Sequence, residues 1–318
     1  MSIVARDPGV VADMPRKRSR GGLIWDVIKG RPSAAVGAVL LGTFILIAIF
    51  AGLIAPYDVH TQVGSVFGHP SAQHWLGLDD GGIDMVSLLM YGARISLIVG
   101  FAAALVATFA GGLIGIVAGY FGGKPESVLM RITDYFLVIP DVPLMIVIAT
   151  LWGPSLDHVI LVIGLLLWTT TARIMRAQVK SLRERVYVKR ARAMGASHWR
   201  IIGRHVLPQI APLLVANVIL AVAVAIFDES ALAFLGLSDP SAVSWGTIIE
   251  HGFIRQAIST GAWWAIVPPG ICIAIVIMGC YLIGQAIEDA LNPRLKVAHL
   301  SIHGFRLRPL VGMDRDAL

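Results

Sequence analysis

Charge is what this sequence has least of. Asp, Glu, Lys and Arg together make up 14% of its 318 residues, against 56% apolar types, a balance that excludes an ordinary soluble domain and points to a membrane protein. Cysteine is nearly missing too: Cys272 and Cys280 are the whole supply, and both lie in the last apolar run. A disulfide framework or a metal site would find no partners there, so the two read as packed thiols. Catalytic patterns are also wanting. The sequence holds no G-x-S-x-G, no H-E-x-x-H and no C-x-x-C. Its nearest approach to a phosphate-binding loop, Gly122-Gly123-Lys124, has Pro125 where Ser or Thr is needed and no glycine at 118. No enzymatic chemistry and no cofactor or metal bound by the chain itself are expected.

What the sequence does have is long apolar runs. A helix needs roughly 20 such residues to cross a bilayer, and the expected fold is all-α, a polytopic membrane protein with six transmembrane helices. The first span reads as Ser33 to Ile54, charge-free and too long for the core of a cleavable signal. The second covers about Ile95 to Tyr120. Gly111, Gly115, Gly119 and Gly123 repeat there at four-residue spacing, a smooth ridge that either packs a neighbouring helix or lines a path with backbone. The third, near Thr133 to Leu151, carries Asp134, Pro140, Asp141 and Pro143 and reads as a broken helix facing protein or water. His158 to Ala172 makes a short fourth span that can extend into the basic stretch after it. A fifth runs from about Gln209 to Phe227, and a sixth is centred on Ala265 to Gly284 behind Trp263-Trp264 at headgroup depth. This divides the chain into a basic tail (1–32), a permeation domain (33–290) with outer segments at 55–93 and 229–263, and a second tail (291–318).

The few basic residues are not scattered. Seven of the 26 Lys and Arg lie in 1–32, two in 120–133, ten in 173–208 and five in 285–318, which leaves Arg94 and Arg255 on the other side. Such alternation sets orientation, with both termini and the 173–208 stretch in the cytoplasm; nucleic-acid binding is not needed to explain the net charge of +6. Within the basic stretch, Val188, Ala191, Gly195, Trp199, Ile202 and Val206 recur at three- and four-residue steps, a stripe that wants a partner. Gly195 followed by Ser197 predicts one short helix ending in a left-handed turn and another beginning on a serine cap. Leu207-Pro208 then opens the next span, where proline is harmless.

The outer segments hold nine acids: Asp58, Asp79, Asp80, Asp84, Asp157, Asp228, Glu229, Asp239 and Glu250. They are ordinary solvated residues, or a surface that docks a partner or repels anions. Asp134, Asp141, Asp228 and Glu229 are candidates for a pathway or gate, and they also suit a rival reading, a secondary transporter driven by an ion gradient.

The run Y-V-K-R-A-R-A-M-G-A-S-H-W-R-I-I-G-R-H-V-L-P, Tyr187 to Pro208, resembles the "EAA" loop of bacterial ABC-importer permeases, with Ala191, Gly195, Leu207 and Pro208 on matching positions. Flanking stretches narrow the likeness: H-W-L-G-L-D-D-G-G-I-D and Y-G-A-R-I-S-L (His74 to Leu97), G-Y-F-G-G ahead of R-I-T-D (Gly119 to Asp134), L-A-F-L-G-L (Leu232 to Leu237) with Ser244-Trp245-Gly246, and D-A-L-N-P-R (Asp289 to Arg294). Together, over about residues 35 to 295, they resemble the C-type permease subunit of dipeptide, oligopeptide and nickel uptake systems. The resemblance implies a type I ABC importer arrangement with a cytoplasmic coupling helix, set in the bacterial inner (plasma) membrane. It implies a homologous B-type partner subunit, cytoplasmic ATPase subunits that bind ATP and Mg, and an external binding protein. The substrate could be a peptide, a metal chelate, glutathione or an opine. Val188, Lys189, Arg190, Ala191, Gly195, Ala196, Trp199, Leu207 and Pro208, in a coupling loop drawn at 179–208, would then meet the ATPase, with Trp199 as a buried anchor. Lys189 and Arg190 stand where the family has Glu and Ala, and Ile83 where it has Arg. A charge reversal at Lys189 means the glutamate's ion pair with the ATPase cannot form in the same way.

Overall fold

The computed structural model describes residues 30 to 291. The tails drawn at 1–32 and 291–318 therefore lie almost wholly outside the described residues. Helix α1 (Pro32–Ile54) starts with proline in its first turn and stops where Pro56 forces the preceding Ala55 into an extended conformation. Residues 55–84 follow as turns held by backbone hydrogen bonds and one bridge, Leu78 with Asp84. Helix α2 (Met85–Phe121) then begins on Asp84, whose carboxylate accepts the Ser87 N–H. It starts ten residues before the expected Ile95. The cap, rather than Arg94, marks its origin.

At 37 residues α2 is about 55 Å long, more than a hydrocarbon core of roughly 30 Å requires. It ends at Gly122, whose φ of 68° is open to glycine at little cost. Helices α3 (Gly123–Val138) and α4 (Asp141–Trp152) meet at 89°, with Ile139 extended ahead of Pro140. This is the broken third span that the prolines foretold. Helix α5 (Leu156–Arg183) runs past the expected Ala172 into the basic stretch. Next come α6 (Val186–Ala193), α7 (His198–Ile201), a π segment (Ile202–Val206) and α8 (Leu207–Phe234). An outer helix α9 (Trp245–Ile254), a 3-10 turn (Trp263–Ala265) and α10 (Val267–Leu291) complete the described chain.

Five of these stretches are long and apolar enough to cross a membrane, and the bent pair α3–α4 makes six if counted as one span. The expected all-α polytopic architecture is what the molecule has. Its tightest seam joins α2 to α5. A Cβ at Gly115 would stand 2.6 Å from the Ala172 carbonyl oxygen, and one at Gly119 would stand 2.7 Å from that of Arg176. The glycine ridge therefore serves packing, but Gly123 takes no part: no heavy atom lies within 4 Å of where its Cβ would sit.

Two corrections concern the outer side. Asp228-Glu229 does not end the fifth span, since α8 continues through both to Phe234. Of the two tryptophans expected at headgroup depth, Trp264 is buried and donates its indole N–H to the Leu78 carbonyl, while Trp263 stays exposed. Trp245, fully buried, donates to the Leu89 carbonyl, so the two outer segments are clasped to each other and to α2.

Candidate functional site

The basic stretch forms a helical knuckle at the end of the bundle where α2, α5 and α8 converge. Helix α6 closes in the manner the glycine foretold. The Ala196 N–H reaches the Ala191 carbonyl at 3.1 Å and the Gly195 N–H reaches that of Arg192 at 3.0 Å, with Gly195 at φ 78°. Ser197 caps α7 by accepting the Arg200 N–H at 3.4 Å. Beyond Ile201 the chain does not close a loop before the next span. It stays helical to Phe234, and the π segment absorbs the donor that Pro208 lacks, with the Leu207 N–H reaching back to the Ile202 carbonyl.

The stripe expected to face a partner divides in two. Val188, Ala191, Ile202 and Val206 are buried against the molecule's own bundle, in a cluster with Tyr120, Met175, Val179 and Ile210. Gly195 and Trp199 are exposed. The left-handed glycine and the new cap redirect the chain, so the period does not carry from α6 into α7, and Ile201 rather than Trp199 turns inward. The knuckle thus presents Met194, 81% exposed, and Trp199, 75% exposed, beside Lys189, Arg190 and Arg200. Ala196 is half-buried, and Leu207 is exposed at the start of α8. Trp199, exposed on the chain by itself, is not packed against its own bundle.

Sequence reasoning missed two features, one that fastens the knuckle and one beside it. Tyr120, near the C-terminal end of α2, is buried and hydrogen-bonds His198 Nδ1 through its hydroxyl at 3.1 Å. The Arg192 guanidinium lies 5.6 Å from its ring centroid, and Arg183 donates to its carbonyl at 3.4 Å. Tyr120 therefore meets α6 and α7 through its side chain and α5 through its carbonyl. The second feature is a latch between α5 and α3. Arg176 and Lys180 both donate to Glu126, Lys180 at 2.9 Å, and Arg173 donates to Asp134 at 2.6 Å. Arg173, Arg176 and Lys180 at helical steps, facing acids eight residues apart, were the signal that could have found it.

Lys189, the departure from the family pattern, pairs with Glu184 at 2.9 Å. That lysine, followed by Arg183, holds the Glu184 carboxyl below the usual range.

The four pathway candidates do not form one cluster. Asp134 is occupied by Arg173. Glu229 is fully buried, its Oε2 accepting from Ser96 at 3.2 Å and Ser230 at 3.4 Å, and Ser96 Oγ in turn accepts the Trp245 N–H. It ties α8 to α2 and to the cap of α9. Asp141, exposed in the first turn of α4, and Asp228, buried in the C-terminal part of α8, lie on helices that contact each other.

The outer acids are largely spoken for. Asp84 is 1% exposed, accepting from Ser87 and bonded to His74 Nδ1 at 2.9 Å. Asp79 accepts the N–H groups of Gly81 and Ile83, and Asp80 lies 3.6 Å from Arg255. The carboxylates of Asp79 and Asp84 thus hold the turns, while Asp80 faces Arg255.

Comparison with known proteins bears on both ends. Residues 111–297 match the family described as "Binding-protein-dependent transport system inner membrane component", and residues 19–67 match "N-terminal TM domain of oligopeptide transport permease C". The dipeptide transport system permease protein DppC of Alkalihalophilus pseudofirmus is 36% identical over 271 residues, covering 85% of this chain and 88% of the relative. A putative peptide transport system permease protein of Brucella suis is 38% identical over 274 residues, covering 84% and 90%. The di/tripeptide transport system permease protein DppC of Pseudomonas aeruginosa is 31% identical over 302 residues, covering 92% and 97%.

Proposed function

Because this chain belongs to the family of binding-protein-dependent transport system inner membrane components, we propose that it is one permease half of an ATP-driven peptide importer, coupled to a separate ATPase through the α6–α7 knuckle. The peptide permeases among its relatives support the class of cargo. The distribution of basic residues supports a plasma-membrane orientation with both termini cytoplasmic. A homologous B-type subunit completes the pathway, an external binding protein delivers the peptide, and ATP and Mg belong to the ATPases.

One observation carries this reading. The knuckle turns half of its apolar side chains into its own bundle and leaves Met194 and Trp199 outside, at the basic end of the molecule. Exposed apolar groups rimmed by charge suit a protein partner, in which Trp199 becomes an anchor on binding. Since Tyr120 and the buried cluster join the knuckle to α2, α5 and α8, a push on it moves the spans as bodies, and packed bundles switch between discrete arrangements. Asp141, exposed in the first turn of α4, is the candidate that could offer charge to the amino group of a peptide.

Gly195→Leu tests the coupling. No atom crowds the position, so strain at φ 78° and a new side chain at the turn are its only effects. In the reconstituted transporter, ATP hydrolysis should continue while binding-protein-dependent peptide uptake falls at least about tenfold. Coupled uptake at the wild-type ratio would contradict the proposal.

A further inference from the structure

Arg94 is the only charged residue in the 37 of α2. Its side chain is exposed, and among the described residues no acid pairs with it. Its depth can be read from its neighbours. One turn outward, the Tyr91 hydroxyl lies 3.5 Å from where a Cβ on Gly52 would be, two residues short of the outer end of α1. Arg94 is a turn further in, roughly 5 Å, beside Ile49. A groove of about 350 Å³ runs from it along the α1–α2 seam. On α2, Leu97, Ile98 and Phe101 continue inward at the three- and four-residue steps of one helical face, and on α1, Ile49 and Ile45 line the opposite wall. The cation thus sits at the outward end of an apolar channel that leads toward the bilayer centre.

A lone arginine at this depth needs a counter-charge, and its long side chain can rise toward the headgroups to find one. Helix α1 is the least covered span: 22% of its most apolar window is buried, against 39% to 56% for the other four. The groove on its flank therefore faces outward from the bundle. We infer that Arg94 and the α1–α2 groove form a binding site for one anionic phospholipid of the outer leaflet, the phosphodiester held by the guanidinium and one acyl chain laid along Leu97, Ile98 and Phe101. Charge complementarity at one end and hydrocarbon at the other select such a lipid over a peptide, which would leave backbone groups unpaired in the apolar half. The bond to phosphate would fix the tilt between α1 and α2 in the assembled transporter.

The test uses the intact complex, purified in detergent and examined by native mass spectrometry with dioleoyl-phosphatidylglycerol and, separately, with dioleoylglycerol, which has the chains but no phosphate. Wild type should retain one phosphatidylglycerol per permease, Arg94→Gln about tenfold less, and neither should retain dioleoylglycerol. Equal retention of phosphatidylglycerol by wild type and Arg94→Gln, or retention of dioleoylglycerol at that level, overturns the site. Ile98→Trp with Arg94 intact gives a second readout that does not depend on the arginine variant folding. In nanodiscs its fluorescence should be quenched by phosphatidylglycerol brominated on the acyl chain, and an unquenched tryptophan would mean that protein, not lipid, covers the groove.

Discussion

Lys189 shows how far a single residue can be read without its surroundings. The family pattern expects glutamate, and the reversed charge implies that contact with an ATPase must differ; the sequence did not reveal that Glu184, five residues earlier, takes up the ammonium. Both side chains are more than half exposed, so the pair orients more than it stabilises. Tyr120 was visible only as part of a quoted motif, because a buried tyrosine between two arginines and a histidine arises from helices that meet in space. Asp79 is the outer counterpart. Burial, the larger effect, pushes its carboxyl above the ordinary value, against the pull of the Ile83 and Gly81 N–H groups. The folded chain then holds the proton more tightly than the unfolded one, so stability declines as pH rises from the unfolded value through the folded one. Asp79→Asn keeps an oxygen to accept both N–H groups and removes the charge. Its melting temperature should exceed wild type at pH 7 and converge with it at pH 4. A variant less stable at both would show that the ionised carboxylate is required by the turn.

At the level of elements, signals that act within a few residues were legible. Pro140 breaks the third span, Gly195 and Ser197 shape the knuckle, and the glycine ridge foretells a packed seam. Boundaries decided by distant contacts were not. Helix α8 carries Glu229 inside with Ser96 on α2 and Ser230 donating to its Oε2, and Ser96 in turn accepting the Trp245 N–H of α9, a partner set no local pattern announces. The stripe across 188–206 misled for the opposite reason, since periodicity assumes one straight helix and the turn at Gly195 changes its direction. The α2–α5 seam gives a sharp test. A side chain at Gly115 meets the backbone oxygen of Ala172 at 2.6 Å and Met175 Cβ at 2.7 Å, neither of which can yield without moving α5. Gly115→Val should cost about 1–3 kcal/mol, seen as a lower melting temperature and yield of the purified complex. Gly42→Val, with no atom within 4 Å of its Cβ, serves as the control that should stay near wild type. Equal melting of the two would mean the helices are not in contact there.

The two ends of the described molecule differ in structure and charge. One face of the bundle gathers the turns of 55–84 and helix α9, pinned by Trp245 and Trp264; the other gathers the cationic knuckle. Helix α5, about 42 Å long, links the two ends and is latched to α3 by Arg176 and Lys180 on Glu126. On the proposed reading, that continuity would carry force applied at the knuckle to the opposite end of the bundle. The claim on which everything rests is that the knuckle lies in the cytoplasm against a nucleotide-hydrolysing partner. Trp199→Cys measures this directly, through labelling of intact cells with a membrane-impermeant maleimide and through cross-linking in inside-out vesicles. The account predicts no labelling from outside and a cross-link to the ATPase whose yield changes when ATP is added. Labelling from outside intact cells, or a residue 199 that never reaches an ATPase, would contradict it.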